Sequence, residues 1–257
     1  MGKYLSDSQI QKAQRELSLL YSLPYAIDLV GTTWEQILSD LKGGTWTHKR
    51  DNRARPDLVV EENGKPTNYS VKTESLRTTD ERVRAEDFLG THEDLIVARP
   101  KVDEYFGDKD SIDKLKPDKL GGMVIRYYNE MIVRKFEWHV LSILLRVDTR
   151  EFIYWEERPP VRYKPEDYWW LDSGRATGTN RNIKGYPKSV KKTVKPLPRA
   201  KFKWTSGGKQ FYILYEIPQD ADCWKIDPAP LSRDEILEAL HKKLLQKKRS
   251  LGLPPAT

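Results

Sequence analysis

Apolar residues recur at helical spacing in several stretches of the chain, and each of these stretches predicts a helix. The clearest are residues 6–23, which end at a proline, and residues 33–42, which follow two threonines and precede two glycines. A third helix is predicted over 121–136. A Thr-Thr-Asp-Glu sequence predicts a helix over 78–90, and a capping box predicts a terminal helix over about 233–248.

Runs of β-branched, aliphatic and aromatic residues predict the strands between these helices. The predicted strands lie at about 56–62, 67–74, 138–147, 151–155 and 211–217. A Glu-Asn-Gly-Lys-Pro sequence separates the first two and predicts a hairpin. This order of elements predicts a mixed α/β core in a single domain that spans residues 1–257.

The charge of the chain is unevenly distributed. The 257 residues contain 45 Lys and Arg against 38 Asp and Glu, which gives a net charge of +7. Residues 173–215 contain no acid. Basic residues of this window are Arg175, Arg181, Lys184, Lys188, Lys191, Lys192, Lys195, Arg199, Lys201, Lys203 and Lys209. A solvated basic loop is one interpretation of the window, and a surface that contacts nucleic-acid phosphates is the other.

Other features of the sequence exclude several classes of protein. Cys223 is the only cysteine, which excludes a disulfide within the chain and a cysteine-based zinc site, and is typical of a reducing compartment. The N-terminus opens onto a polar helix rather than a signal peptide, and no apolar run approaches the length of a membrane span. We therefore expect a soluble, cytoplasmic protein that does not contact a membrane.

The candidate chemistry lies on the predicted hairpin. Asp57 begins the first strand, after Pro56, and Lys72 lies in the middle of the second strand. Alternate residues of a strand share a face, so Ser70, Lys72 and Glu74 lie on one side. The hairpin would bring the Asp57 carboxylate beside the Lys72 ammonium. A carboxylate that holds a divalent cation and a lysine that orients water form the core of a metal-dependent phosphodiesterase.

These residues resemble the PD-(D/E)xK nuclease superfamily, which has Pro-Asp at the head of one strand and acid-x-Lys on the next. Ser70 stands here in place of the usual acid. The string from Ser70 to Glu86 looks like the branch of restriction endonucleases that cut CCGG-containing sites, in which the missing acid lies fourteen positions after the lysine. That resemblance implies a restriction-endonuclease-like core over about 33–157, with flanking helices and a basic β and loop elaboration over about 160–217.

The resemblance also implies roles for individual residues. Asp57, Glu86 and the backbone carbonyl of Val71 would bind Mg²⁺, a hard cation that prefers oxygen ligands. Lys72 would position or activate the attacking water. Glu35, on the preceding helix, occupies the place of an additional acid. Glu74 competes with Glu86 for the role of second acid, because it shares the face of Lys72.

The same resemblance implies how DNA would be bound. Arginines between the catalytic lysine and the relocated glutamate would read guanines, and the candidates are Arg77, Arg82 and Arg84. An ion pair with a nearby aspartate is the competing role of Arg84. Phosphate contacts would come from the acid-free window, from Arg175, Arg181, Lys184, Lys188, Lys191 and Lys192.

The function expected from these features is a Mg²⁺-dependent type II restriction endonuclease that cuts double-stranded DNA at a palindromic G/C-containing site as a homodimer. One alternative is another nuclease of the same superfamily that acts in repair, junction resolution or at transposon ends. The other is a DNA-binding protein without catalytic activity, in which Asp57 is an ordinary turn acid and Lys72 an exposed strand lysine.

Overall fold

The computed structural model describes residues 3–22, 31–47, 56–76, 83–99, 114–130, 137–148, 150–175, 181–206, 209–228 and parts of 232–241. Its helices are α1 (Asp7–Tyr21), α2 (Gly31–Lys42) and α3 (Pro117–Tyr127), with short 3-10 turns at Ala85–Phe88 and Pro165–Asp167. The strands are β1 (Thr45–Trp46), β2 (Leu58–Glu62), β3 (Lys65–Ser75), β4 (His92–Ala98), β5 (Val140–Arg146), β6 (Glu151–Glu157), β7 (Tyr168–Arg175), β8 (Arg181–Pro187), β9 (Phe202–Thr205), β10 (Gln210–Glu216) and β11 (Asp222–Lys225).

The strands form two sheets. The first sheet has six strands in the order β1-β2-β3-β5-β6-β11, and the second has five in the order β4-β10-β9-β8-β7. All pairs are antiparallel except β3 with β5, which run parallel. The chain segment that connects these two parallel strands includes β4 and α3. A strand of the second sheet therefore lies, in sequence, between two strands of the first sheet.

The first sheet separates two hydrophobic cores. On one face α1 and α2 pack through residues such as Leu17, Trp34 and Leu38 against Tyr69 and Val71 of β3. The opposite face packs against α3 and the second sheet. The apolar side chains of β5 and β6 on that face are buried in this second core. The molecule therefore has three layers, with the first sheet in the middle.

Several predicted elements are confirmed, because local sequence determines them. Ser6 caps α1 with Gln9 in a reciprocal capping box, and the predicted hairpin is β2 and β3. The mixed α/β class is confirmed as well. Within 121–136 the helix begins earlier than predicted, at Pro117, and the residues after 130 lie outside the described part. At the C-terminus the Ser232 N–H donates to Glu235 at 2.8 Å, as a capping box requires.

One prediction needs correction. The segment predicted as a helix over 78–90 is, in its described part from 83, only a 3-10 turn. The reason is long-range: the buried carboxylate of Glu151 accepts the N–H of Ala85 at 2.7 Å and holds the Arg84 guanidinium at 2.7 Å. The basic stretch 160–217, predicted as β and loop structure, contains β7 to β10, which belong to the second sheet. No described helix combines the length and the apolar character that a bilayer crossing needs.

Candidate active site

The candidate site lies where β2 stops and β3 continues. The two strands pair from Glu62 with Lys65 to Leu58 with Tyr69, and the Asp57 N–H makes one more bond, to the Tyr69 carbonyl at 2.9 Å. From there to Ser75, β3 is paired with β5 on its other edge. Beyond this point, no strand among the described residues pairs with the edge of β3 that faces β2.

Asp57 stands at the opening. Its Oδ2 accepts the backbone N–H of Val71 at 2.7 Å and the Ser70 hydroxyl at 3.3 Å. The carboxylate thus satisfies the first amide of β3 that β2 no longer reaches, while 31% of the side chain stays exposed. This local requirement fixes the orientation of Asp57 before any ligand binds.

Lys72 meets the same carboxylate. Its Nζ lies 3.8 Å from Asp57 Oδ2 and donates to the carbonyl oxygen of Val71 at 3.2 Å. The ring of Trp138 covers the ammonium, with its centroid 5.3 Å from Nζ. Trp138 could not be predicted from the sequence, because this contact joins β3 to a residue that precedes β5 by two positions.

The oxygen atoms that surround the ammonium fit a hard cation. A carboxylate and a backbone carbonyl converge on one positive charge, and both are ligand types that Mg²⁺ uses. Mg²⁺ usually keeps several waters and needs only one or two carboxylates. In the part of the chain that is described, no three histidine, cysteine or acidic side chains lie close enough together to form a metal site of their own.

Glu35 lies nearby on the other side of β3. It belongs to the first turns of α2, and its Oε2 accepts the indole N–H of Trp46 at 3.0 Å. A Cβ placed on Gly31 would lie 3.5 Å from Thr73 Oγ1 and 3.9 Å from Glu35 Oε1. Glu35 therefore approaches β3 from the helix layer, whereas Lys72 leaves β3 on the opposite face.

The two candidates for the second acid are placed differently. Glu74 shares the face of Lys72, and its charge is a secondary cause, after burial, of the raised pKa of Tyr212. Glu86 is exposed on the 3-10 turn that packs against β6 and β11. Because β6 and β11 are two and three strands from β3, about 10 and 14 Å at ordinary strand spacing, and Asp57 stands on the β2 side of β3, the structure does not bring Glu86 to Asp57.

The arginines proposed to read bases are described only in part. Arg84 is exposed, and its guanidinium pairs with the carboxylate of Glu151 at 2.7 Å. Arg77 and Arg82 lie outside the described residues.

The basic window contains both paired and exposed cations. Arg181 is 8% exposed and forms a two-pronged pair with Asp172, at 2.7 and 3.2 Å, which corrects its assignment as a phosphate contact. Lys184 is half-buried, and Lys188, Lys191 and Lys192 are exposed. Lys192 lies 3.6 Å from an Asp118 oxygen and 5.2 Å from the centre of the Trp169 ring. Arg175 ends β7, and its side chain is outside the described part.

Comparison of the chain with protein-family models, with curated proteins and with solved structures finds no match. The site must therefore be judged on its own geometry.

Proposed function

We propose that this chain is a Mg²⁺-dependent endonuclease of double-stranded DNA, of the type II restriction class. The observation that carries the proposal is the convergence of the Asp57 carboxylate, the Val71 carbonyl and the Lys72 ammonium at the open edge of β3. An acid at the head of one strand and a lysine on the next, within a mixed sheet flanked by helices, is also what the resemblance to PD-(D/E)xK nucleases implies.

The chemistry assigned to these groups is hydrolysis of a phosphodiester bond. A bond forms between water oxygen and phosphorus, and the bond to one ester oxygen breaks. Asp57 and the Val71 carbonyl would hold Mg²⁺, which lowers the pKa of bound water and offsets charge on the phosphate. Lys72 keeps a positive charge beside the position of the attacking water, and Trp138 limits the movement of that ammonium.

The supporting acid is assigned by proximity. Glu35 and Thr73 both lie within 4 Å of a Cβ placed on Gly31, on the helix side of β3, and Glu74 shares a face with Lys72. Glu86 instead lies on an exposed turn against β6 and β11. We assign Glu35 to the outer part of the metal site, because its carboxylate is already oriented by Trp46. Mg²⁺ would complete its coordination with water.

Binding of DNA is assigned to the exposed lysines. Lys188, Lys191 and Lys192 follow β8 and present charge to solvent, as contacts to phosphates require. A homodimer on a palindromic site would place one active site on each strand. Base reading by Arg77 and Arg82 stays a prediction from the sequence.

Incubation of plasmid DNA with the purified chain in Mg²⁺ or in EDTA tests the proposal. Discrete bands that appear only with Mg²⁺ are expected from a restriction endonuclease. Smearing or selective cleavage of branched DNA would indicate another nuclease, and uncut but retarded DNA would indicate a binding protein. Lys72→Ala should abolish cleavage and retain binding, because most affinity comes from distributed phosphate contacts.

The matched control is Lys65→Ala. Lys65 lies on the same strand but at the exposed turn, remote from the opening where Asp57 stands. The Lys65→Ala variant loses the same charge as Lys72→Ala and should cut DNA at the normal rate. Full activity of Lys72→Ala would contradict the site assignment.

A further inference from the structure

A pocket lies on the outer face of the second sheet, the face that is turned away from the hydrophobic core. Ile183, Trp204 and Ile213 of β8, β9 and β10 are buried in that core, so the residues that alternate with them point outward. The pocket formed on this face, here called the outer pocket, has a volume of about 410 Å³. Its polar lining includes Asp94, Asn182, Lys184, Lys203, Thr205 and Tyr212.

The side chains around the outer pocket form two rows across the sheet. Lys184 lies directly opposite Lys203, and these two residues are the lysine row. Asn182 lies directly opposite Thr205, and these two residues are the polar row. The rows are two residues apart along each strand, which separates them by about 7 Å.

The lysine row carries more positive charge than its surroundings neutralise. Two lysines that face each other across paired strands repel, because their Cβ atoms lie only about 5 Å apart. Lys203 Nζ donates to Asp94 Oδ2, but the same oxygen lies 3.3 Å from Arg199, which also lies 3.8 Å from a Glu93 oxygen. The Lys184 ammonium has no ion-pair or hydrogen-bond partner in the described part of the chain. An anion bound beside Lys184 would therefore relieve the repulsion within the row.

The polar row offers hydrogen-bond donors and acceptors together. The Asn182 amide has an NH₂ group and a carbonyl oxygen, and the Thr205 hydroxyl can donate or accept. Neither side chain has a hydrogen-bond partner among the residues that the structure describes. A phosphate oxygen only accepts hydrogen bonds, whereas the edge of a nucleobase presents donors and acceptors side by side, which an Asn amide can match. The two rows thus suit the two different parts of a nucleotide.

Tyr212 lines the outer pocket on the side of β10 and lies toward the candidate active site. Its hydroxyl donates to Gln210 Oε1 at 2.6 Å, which orients the ring. Burial raises the pKa of Tyr212, and the nearby charges of Glu74 and Asp94 raise it further. Glu74 shares the face of β3 with Lys72, so the outer pocket lies toward the face that carries the proposed chemistry. An aromatic ring also provides a surface on which a base can stack.

We propose that the outer pocket binds one nucleotide, with its phosphate at the lysine row and its base at the polar row. The phosphate accepts hydrogen bonds from Lys184, and Asn182 and Thr205 bind the edge of the base. A volume of about 410 Å³ is within the range of about 300–1,000 Å³ of small-molecule sites, and it leaves room for a base beside the phosphate. A free nucleotide and a nucleotide of a DNA strand share this chemistry, and neither requires that the chain cuts DNA.

Calorimetric titration of the purified chain with deoxyadenosine 5′-monophosphate in EDTA tests the site. This nucleotide should bind about tenfold or more tightly than deoxyadenosine or inorganic phosphate, because it alone engages both rows. Inorganic phosphate that binds as tightly as the nucleotide would overturn the role of the polar row. Deoxyadenosine that binds as tightly would overturn the role of the lysine row, and a nucleotide that does not bind would overturn the whole proposal.

Substitutions in the two rows locate the site. Lys184→Gln should raise the Kd of the nucleotide about tenfold, and it should leave Tm unchanged or slightly higher, because it removes the repulsion from Lys203. Asn182→Ala should raise that Kd about threefold or more and leave the binding of inorganic phosphate unchanged. Lys195→Gln is the matched control, because it removes the same charge from an exposed position of the same acid-free window.

Three outcomes would contradict the location of the site. They are a wild-type Kd in both Lys184→Gln and Asn182→Ala, an equal loss of affinity in Lys195→Gln, and a large decrease in Tm in Lys184→Gln, which would make that lysine structural. If Lys184→Gln is unfolded for another reason, Asn182→Ala decides by itself. The arginine substitution Lys184→Arg should retain binding of the nucleotide, since it keeps the charge.

Binding of a fluorescent single strand, followed by anisotropy in EDTA, distinguishes the two sources of the nucleotide. Weaker binding of the strand by Lys184→Gln indicates a nucleotide of a strand, and unchanged strand binding beside lost mononucleotide binding indicates a free nucleotide; either result supports the site. The site and the proposed function can fail separately. A chain that binds the nucleotide but never cuts DNA in Mg²⁺ contradicts the nuclease function alone, and a chain that cuts but does not bind the nucleotide contradicts the outer pocket alone.

Discussion

Replacing Asp57 by Asn separates the proposed catalytic role of this residue from its structural role. The carboxylate accepts the Val71 N–H at 2.7 Å, and an Asn side-chain oxygen can accept the same bond. The change weakens a charge-assisted hydrogen bond and removes a partly exposed ion pair with Lys72, which together are worth about 1 kcal/mol. For a chain of this length, that predicts a decrease in Tm of about 2–4 °C.

Cleavage should be affected far more strongly. The amide carries no charge to balance a divalent cation, so Asp57→Asn should lower the rate of plasmid cleavage by more than about 100-fold. The assay is a time course of supercoiled plasmid in Mg²⁺, beside thermal unfolding of the same preparations. Asp57→Ala should be both inactive and less stable, by about 1–3 kcal/mol, because the Val71 N–H then has no acceptor from position 57.

Glu61→Gln is the control for this experiment. Glu61 is exposed and lies on β2, on the same face as Asp57. Glu61→Gln removes one negative charge, as Asp57→Asn does. It should cut at the wild-type rate. Wild-type cleavage by Asp57→Asn would refute the assignment of a metal to this carboxylate. A Tm decrease of ten degrees or more would refute the stability estimate and leave Lys72→Ala as the test of the site.

Further substitutions test the rest of the site and the surface. Glu35→Gln should reduce Mg²⁺-dependent plasmid cleavage about tenfold or more, whereas Glu86→Ala should leave it nearly unchanged, since the exposed turn of Glu86 packs on β6 and β11. A larger loss of cleavage in Glu86→Ala than in Glu35→Gln would instead support Glu86 as the relocated acid. Lys191→Gln should reduce the salt slope of DNA binding by about one. Arg181→Gln should instead lower stability by about 1–2 kcal/mol, because the buried Arg181 side chain loses its pair with the half-exposed Asp172 carboxylate. Equal salt slopes in the two variants would contradict this difference. Burial raises the pKa of Glu157, whose Oε2 has no hydrogen-bond partner among the described residues. Glu157→Gln should therefore raise Tm at pH 8, and the difference should disappear as pH falls and the carboxyl becomes protonated; a gain that is independent of pH would contradict this cause.

The parts of the site that could be predicted from the sequence are those set by local pairing. The turn between β2 and β3 fixes their register, so Leu58 meets Tyr69 and Asp57 necessarily reaches the next residues of β3. The helix predicted from residue 6 is equally local, because Ser6 and Gln9 cap its first turn. Neither inference required knowledge of any residue more than fifteen positions away.

The rest depends on contacts between residues that are remote in sequence. Glu151 captures the Ala85 N–H, and this bond places Glu86 beside β6 instead of beside Asp57. Lys203 and Arg199 belong to a window without acids, yet both pair with Asp94 of β4. A stretch of sequence gives only the charges that are neighbours along the chain. The pairing of strands in the second sheet determines which charges are neighbours in space.

The parallel pairing of β3 with β5 makes β3 slow to complete its hydrogen bonds. Tyr69 and Val140 are about seventy positions apart, so this contact requires the closure of a long chain segment, whereas β2 and β3 meet through a short turn. An isolated two-stranded hairpin is marginally stable in water. During synthesis, Asp57 and Lys72 can therefore approach each other early but become rigidly held only after β5 has left the ribosome. Folding rate, which falls with the sequence separation of contacts, should accordingly be limited by the pairing of β3, the strand that carries the proposed site.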